Sequence, residues 1–174
     1  MPVDIGLNDE ARNTSADALR VLLAETYALY SKTHGYHWNV TGPRFNSLHT
    51  MFETQYNELW MALDEIAERI RALGHFAPTS PAEMVEPATI KPDNGIPDAD
   101  TMVENLVKGH EAVSRAGKAG LKIAEDNGDA VTADLMTQPP ANTGLAHPAY
   151  CTAQHLPCLM GLTAPMRRGN LAFS

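Results

Sequence analysis

Apolar residues recur at steps of three and four through much of the chain, which is the spacing of one face of an α-helix. The clearest run, residues 45–73, predicts a long amphipathic helix that ends at Gly74, a residue suited to a helix C-terminus. Its apolar stripe comprises Phe45, Leu48, Phe52, Tyr56, Leu59, Leu63, Ile66, Ile70 and Leu73. A similar pattern over residues 16–38 predicts an earlier helix, with Thr14 and Ser15 as candidate N-caps.

Two more helices are predicted beyond a proline-rich crossover. Residues 75–97 contain five prolines and predict a long connection with one short helix at PAEMVE. Asp98 or Asp100 is the expected cap of a third long helix, and Asp129 begins a fourth over AVTADLMTQ. Long helices with an extended link between the second and third predict an all-α, antiparallel four-helix bundle.

The fourth helix is cut short, because Pro139 and Pro140 stop it. The segment from residue 139 to residue 174, which includes these two, holds five prolines, no acidic residue and no helical period. We interpret it as the product of a reading-frame change near codon 138, which an amphipathic helix in another frame would support. A bundle lacking half of one helix is also expected to assemble and dissolve less well. The predicted organisation is an N-terminal extension (1–13), a helical domain (14–138) and an atypical tail (139–174).

The chain is acidic, with 21 acidic residues, 13 basic residues and a net charge of -8. Such a body attracts cations and repels nucleic acid. The sequence contains no run of 18 apolar residues, so no membrane span is predicted. The N-terminus does not resemble a secretory signal, and we therefore expect a cytoplasmic protein. The tail contains two histidines and two cysteines, His147, Cys151, His155 and Cys158. Their number and spacing indicate neither a disulfide framework nor a zinc site.

The second helix carries two pairs of candidate metal ligands, His49 with Glu53 and Asp64 with Glu68. At 100° per residue they fall at about 0°, 40°, 60° and 100°, on one stripe. The pairs lie about 16 Å apart along the axis, too far to share one ion within a straight helix. An antiparallel pairing of this helix with its copy, about an axis near Leu59, would bring the pairs of two subunits together.

His37, at the end of the first helix, can add another imidazole. A mixed imidazole and carboxylate set suits Fe(II), zinc or manganese. The alternative is that the carboxylates are solvated surface groups and the histidines belong to the core. The chain contains no Glu-x-x-His motif, which disfavours a di-iron site within a single bundle.

The segment HWNVTGPRFNSLHTMFETQYNELWMALDEIAERIRALG closely resembles the core of the Dps proteins, and the resemblance covers roughly residues 15–138. It implies the ferritin-like form of the bundle and a ferroxidase site shared between two-fold-related subunits. The implied ligands are His37, His49, Glu53, Asp64 and Glu68. Trp38 matches an aromatic residue that lines this site in the family.

The resemblance also implies what the protein does. Fe(II) is oxidised, preferably by hydrogen peroxide, and ferric mineral collects inside a shell of twelve subunits, which protects the cell against oxidative stress. Iron enters family shells through acidic pores, whose matching residues are Glu125, Asp129 and Asp134.

Two other functions stay open. Family members that bind DNA often use a lysine-rich N-terminal arm, whereas the first 31 residues contain no lysine, and Arg167 and Arg168 are too few to replace one. Direct DNA binding is therefore not the favoured prediction. The alternatives are a nucleoid-associated, DNA-compacting homologue with little iron activity and an inactive bundle whose assembly is impaired.

Overall fold

The computed structural model describes residues 4–138, in which the regular structure is entirely α-helical. The helices are α1 (Asp9–Asn39), α2 (Phe45–Ala72), α3 (Pro81–Val85), α4 (Ala99–Asp126) and α5 (Ala130–Thr137). The predicted long second helix, crossover helix, third helix and short fourth helix are thereby confirmed. The tail, with the predictions made for it, lies outside the described residues.

α1 is the centre of the bundle, because it contacts α2, α3 and α4, while α5 contacts α4. The short turn at residues 40–44 folds α2 back along α1. The apolar stripes of the three long helices meet in one core, where large side chains are fully buried. They include Leu19, Leu23, Leu29, Leu48, Phe52, Leu59, Ile66, Ile70, Met102 and Leu106.

The first helix begins earlier than its apolar pattern predicts. The side chain of Asn8 accepts a hydrogen bond from the Ala11 N–H at 2.8 Å, so Asn8 is the N-cap. Thr14, a predicted cap, instead donates its hydroxyl to the Glu10 carbonyl at 3.0 Å within the helix. The predicted start at residue 16 was wrong because the first turns bury small side chains such as Ala11.

The glycines within α4 allow its close packing. A Cβ atom at Gly109 would lie 2.6 Å from Cδ1 of Leu29, so α4 approaches α1 closely at this point. At Gly120 a Cβ atom would lie 2.6 Å from the terminal methyl of Met136 on α5. A side chain at either glycine would therefore force Leu29 or Met136 to shift.

The crossover is held to α1 by hydrogen bonds to two acidic side chains, Glu25 and Asp93. Glu25 is 3% exposed, and its carboxylate accepts the backbone N–H groups of Thr89 at 2.8 Å and Ile90 at 3.2 Å. Further along the crossover, Asp93 accepts hydrogen bonds from Lys32 at 2.7 Å and from the Tyr36 hydroxyl at 2.5 Å. These bonds fix a segment that has little helical structure of its own.

Burial and the hydrogen bond to Asp93 raise the pKa of Tyr36 well above its ordinary value. The hydroxyl of Tyr36 therefore stays a proton donor at physiological pH. Within residues 4–138, no helix is long and apolar enough to cross a membrane.

Candidate metal centre

The two predicted histidine ligands meet where α1 ends and α2 begins. The rings of His37 and His49 stack, with centroids 3.7 Å apart and planes at 21°. Nδ1 of His37 lies 2.9 Å from the His49 carbonyl oxygen, and Nδ1 of His49 lies 2.8 Å from the His37 carbonyl oxygen. The hairpin turn between the helices thus brings together two residues that are twelve positions apart.

These reciprocal hydrogen bonds determine the tautomer of both imidazoles. A carbonyl oxygen only accepts, so Nδ1 of His37 and of His49 must each carry the proton. In a neutral imidazole the Nε2 atom then keeps its lone pair, which is the atom that binds a metal. Neither of these two hydrogen bonds engages Nε2 of either ring.

The three predicted carboxylate ligands lie along the outer face of α2. Glu53, Asp64 and Glu68 are all exposed. Among the described residues, no three His, Cys, Asp or Glu side chains come together in a way that could hold a metal ion. One chain therefore carries the candidate ligands in two separated groups, as the spacing along the helix requires.

A large apolar side chain lies between these two groups. Trp60 falls at about 20° on the same stripe, between Glu53 and Asp64, and is 56% exposed. Met61 follows it and is also exposed. Trp60 and Met61 together expose apolar surface near the middle of the helix.

An aromatic wall, formed by Tyr30, His34, Trp38 and Tyr56, lines the α1 side of the site. The His34 ring stacks on Tyr56 at a centroid distance of 4.0 Å and lies 4.2 Å from the Trp38 ring. Tyr30 contacts Trp60 at 5.5 Å. Sequence reasoning identified Trp38 but missed Tyr30, His34 and Tyr56 as members of the wall, although Tyr56 lies beside the stripe of the candidate ligands.

His34 is the imidazole of the aromatic wall, and its ring centroid lies 6.2 Å from that of His37. Burial, together with the neighbouring His37, lowers the pKa of His34. Its Nδ1 lies 3.2 Å from the Tyr30 hydroxyl. A neutral ring at this position avoids placing a positive charge beside the candidate cation site.

The three predicted pore residues differ in their surroundings. Glu125 and Asp134 are exposed near the junction of α4 and α5, whereas Asp129 is 2% exposed. Asp129 caps α5 through the Thr132 N–H at 3.0 Å and forms an ion pair with Arg69 at 2.6 Å. Its carboxylate therefore ties α2 to α5 within one chain.

The pKa of Asp129 reflects this environment. Burial favours the neutral acid, but the hydrogen bonds from Thr132 and the nearby Arg69 guanidinium outweigh it and lower the pKa. The carboxylate is consequently charged and paired at neutral pH.

Comparison with known proteins places this arrangement in a family. The family model of a ferritin-like domain matches residues 16–139. The chain is 40% identical over 137 residues to an uncharacterized low temperature-induced protein of Nostoc sp., covering 78% of this chain and 76% of the relative. It is 36% identical over 120 residues to DNA protection during starvation protein 2 of Bacillus anthracis, covering 69% and 82%.

A solved structure agrees with the sequence relatives. The Dps protein of Vibrio cholerae O1, described as a member of a broad superfamily of ferritin-like diiron-carboxylate proteins, matches with a TM-score of 0.74 and 33% identity. The match covers 79% of this chain and 87% of that one. The predicted ferritin-like fold is confirmed, and the chain belongs to the Dps family.

Proposed function

We propose that this protein is a Dps-type ferroxidase and iron-storage protein that oxidises Fe(II) with hydrogen peroxide at sites shared between two copies. The observation that carries the proposal is the reciprocal hydrogen bonding of His37 and His49. It holds the two imidazole rings in a stack with a hydrogen bond on each Nδ1 atom. The Nε2 atom of each ring is then able to bind a metal ion.

The second half of each site comes from the partner copy. When two α2 helices lie antiparallel about an axis near Leu59, His49 and Glu53 of one copy face Asp64 and Glu68 of the other. The exposure of all three carboxylates and of Trp60 supports this pairing. A two-fold axis makes each contact twice, so a dimer holds two equivalent sites.

Iron is the substrate of this site. Two Fe(II) ions each lose one electron, the O–O bond of one hydrogen peroxide breaks, and two protons complete two water molecules. Because both electrons are taken at one site, no hydroxyl radical is released. The neutral imidazoles bind Fe(II), and the carboxylates stabilise the additional charge of Fe(III) as it forms.

Storage requires a shell, and we propose the twelve-subunit assembly of the family, with ferric mineral collecting inside it. The exposed carboxylates of Glu125 and Asp134 support an acidic entry path for cations near the junction of α4 and α5. Asp129 contributes to this path only indirectly, by holding α5 against α2 through Arg69.

Protection of DNA follows from the same chemistry, because iron and peroxide are removed together. The lysine-free N-terminal 31 residues support this indirect route over direct DNA binding. A gel shift with plasmid DNA at low and moderate salt tests the point, and we expect no retardation at moderate salt.

Fe(II) oxidation by hydrogen peroxide, followed by stopped-flow absorbance, tests the ferroxidase. His49→Ala and Asp64→Ala should each reduce the rate by about tenfold or more, because each removes a ligand. Glu58→Ala is the matched control, since Glu58 is an exposed carboxylate of α2 at about 180° from His49. Unchanged rates in the ligand variants, or an equal loss in the control, would contradict the proposal.

A further inference from the structure

A cavity of about 290 Å³ lies between α1, the crossover and α4, away from the ligand stripe of α2. Its basic residues are Lys32, Lys91, Lys108 and Arg115, and its acidic residue is Asp93. The whole chain has only 13 basic residues against 21 acidic ones. Four of the 13 basic residues but only one of the 21 acidic residues line this cavity. The cavity is therefore positively charged, although the protein as a whole is negative.

The acidic residue in the cavity is already neutralised. Asp93 receives the Lys32 ammonium at 2.7 Å, the Tyr36 hydroxyl at 2.5 Å and the Asn105 amide at 3.3 Å. With both oxygens bonded, it does not compete for the remaining cations. The positive charge of Lys91, Lys108 and Arg115 is left for a ligand.

The remaining cations keep hydrogen-bond donors available. Lys91 donates one N–H to the Ala88 carbonyl at 2.7 Å, and an ammonium group has three. Arg115 lies 3.8 Å from Glu111, but both side chains are largely exposed, so this pair adds little. Its guanidinium can instead provide paired N–H groups to an oxyanion.

The packing of α4 on α1 creates the cavity. Gly109 lines it, and the missing side chain brings α4 against Leu29. Lys108 and Arg115 of α4 line the same cavity as Lys32 of α1. The carboxylate of Glu25 accepts hydrogen bonds from the backbone N–H groups of Thr89 and Ile90. These bonds fix the part of the crossover that carries Lys91.

We propose that this cavity is a binding site for a small phosphate-bearing anion. Lysine and arginine form strong, charge-assisted hydrogen bonds to phosphate oxygens. The volume is at the lower end for small-molecule sites, which favours inorganic phosphate or a small phosphate monoester. A nucleic acid backbone is disfavoured, because the net charge of -8 repels a polyanion.

Isothermal titration calorimetry on the iron-free, full-length protein tests the site, with inorganic phosphate as the probe at low ionic strength. Lys108→Gln combined with Arg115→Gln should weaken phosphate binding by about tenfold or more. Lys118→Gln combined with Lys122→Gln is the matched control, because it removes two exposed cations of α4 that do not line the cavity. The control should bind within about twofold of the parent.

Other outcomes are equally decisive. No phosphate binding by the parent protein, or equal weakening in both double variants, would overturn the proposal. Duplex DNA binding that depends on Lys108 and Arg115 in a parent that binds no phosphate would also overturn it. A titration with glycerol phosphate distinguishes inorganic phosphate from a phosphate monoester as the ligand. If glycerol phosphate binds more tightly than inorganic phosphate does, the ligand is an organic monoester. Since iron is absent throughout, failure here is distinct from failure of the ferroxidase.

Discussion

Replacing Trp60 by alanine should weaken self-association, because its indole lies at the proposed two-fold axis between the two groups of ligands. A Trp side chain offers up to about 250 Å², and 56% of Trp60 is exposed in one chain, so about 140 Å² is available to a partner. At about 25 cal/mol per Å², covering it contributes about 3.5 kcal/mol per copy and about 7 kcal/mol per dimer.

Buried area converts only partly into affinity, since association also orders side chains. We therefore expect Trp60→Ala to reduce the free energy of dimerisation by at least about 2 kcal/mol, or roughly 30-fold in Kd. Sedimentation velocity over a dilution series measures this change. Phe76→Ala is the control, because Phe76 is 79% exposed but lies in the crossover against Arg71.

The expected result is dissociation of the Trp60 variant at concentrations where the parent and the Phe76 variant stay associated. Association of the Trp60 variant equal to that of the parent would refute the placement of the axis. Equal dissociation of both variants would refute it as well, because exposed aromatic area alone would then explain the loss.

Three further predictions concern the bundle itself. Burial lowers the pKa of His110 from its ordinary 6.5 to about 4, so the unfolded chain takes up a proton that the folded chain does not. Stability should fall by up to about 3 kcal/mol as the pH drops from 6.5 to 4, and His110→Gln should flatten this slope in urea titrations. Glu25→Ala leaves two backbone N–H groups of the crossover without their acceptor and should reduce the free energy of unfolding by about 2–4 kcal/mol, whereas intact stability would show that water replaces the carboxylate. Gly109→Ala should destabilise by about 1–3 kcal/mol through its clash with Leu29, while Gly35→Ala, which meets open space in α1, should gain up to about 1 kcal/mol in thermal unfolding.

The helices could be predicted where their ends and faces carry strong local signals. α2 combines an uninterrupted apolar stripe with Gly74, whose φ is 92°, and α4 begins at Asp98, whose side chain accepts the Thr101 N–H at 2.8 Å. The start of α1 has a capping residue, Asn8, but no apolar face, because its first turns bury Ala11 and Ser15 instead of large apolar residues. Apolar periodicity cannot detect a helix face made of small residues.

The site could be predicted only in part, for a similar physical reason. The spacing along α2 places the candidate ligands on one stripe, and the turn after α1 brings His37 near His49. The tautomer of the two rings depends on backbone carbonyls across the hairpin, which spacing does not reveal. Glu25 was missed because its partners lie in the crossover, 64 and 65 positions away.

The central claim, that each iron site is assembled from two copies, can be tested by mixing two variants whose own activity is strongly reduced. His49→Ala and Asp64→Ala each remove one half of every site in their own homodimers. In a dimer that contains one copy of each variant, one site carries both substitutions and the other site carries neither. Random pairing makes about half of the dimers mixed, and each mixed dimer has one intact site of two. About a quarter of the parent's sites should therefore be restored. We predict that co-refolded variants regain about a quarter of the peroxide-driven Fe(II) oxidation of the parent. Activity no higher than the mean of the two variants alone would contradict the claim, because it would place each site within a single chain.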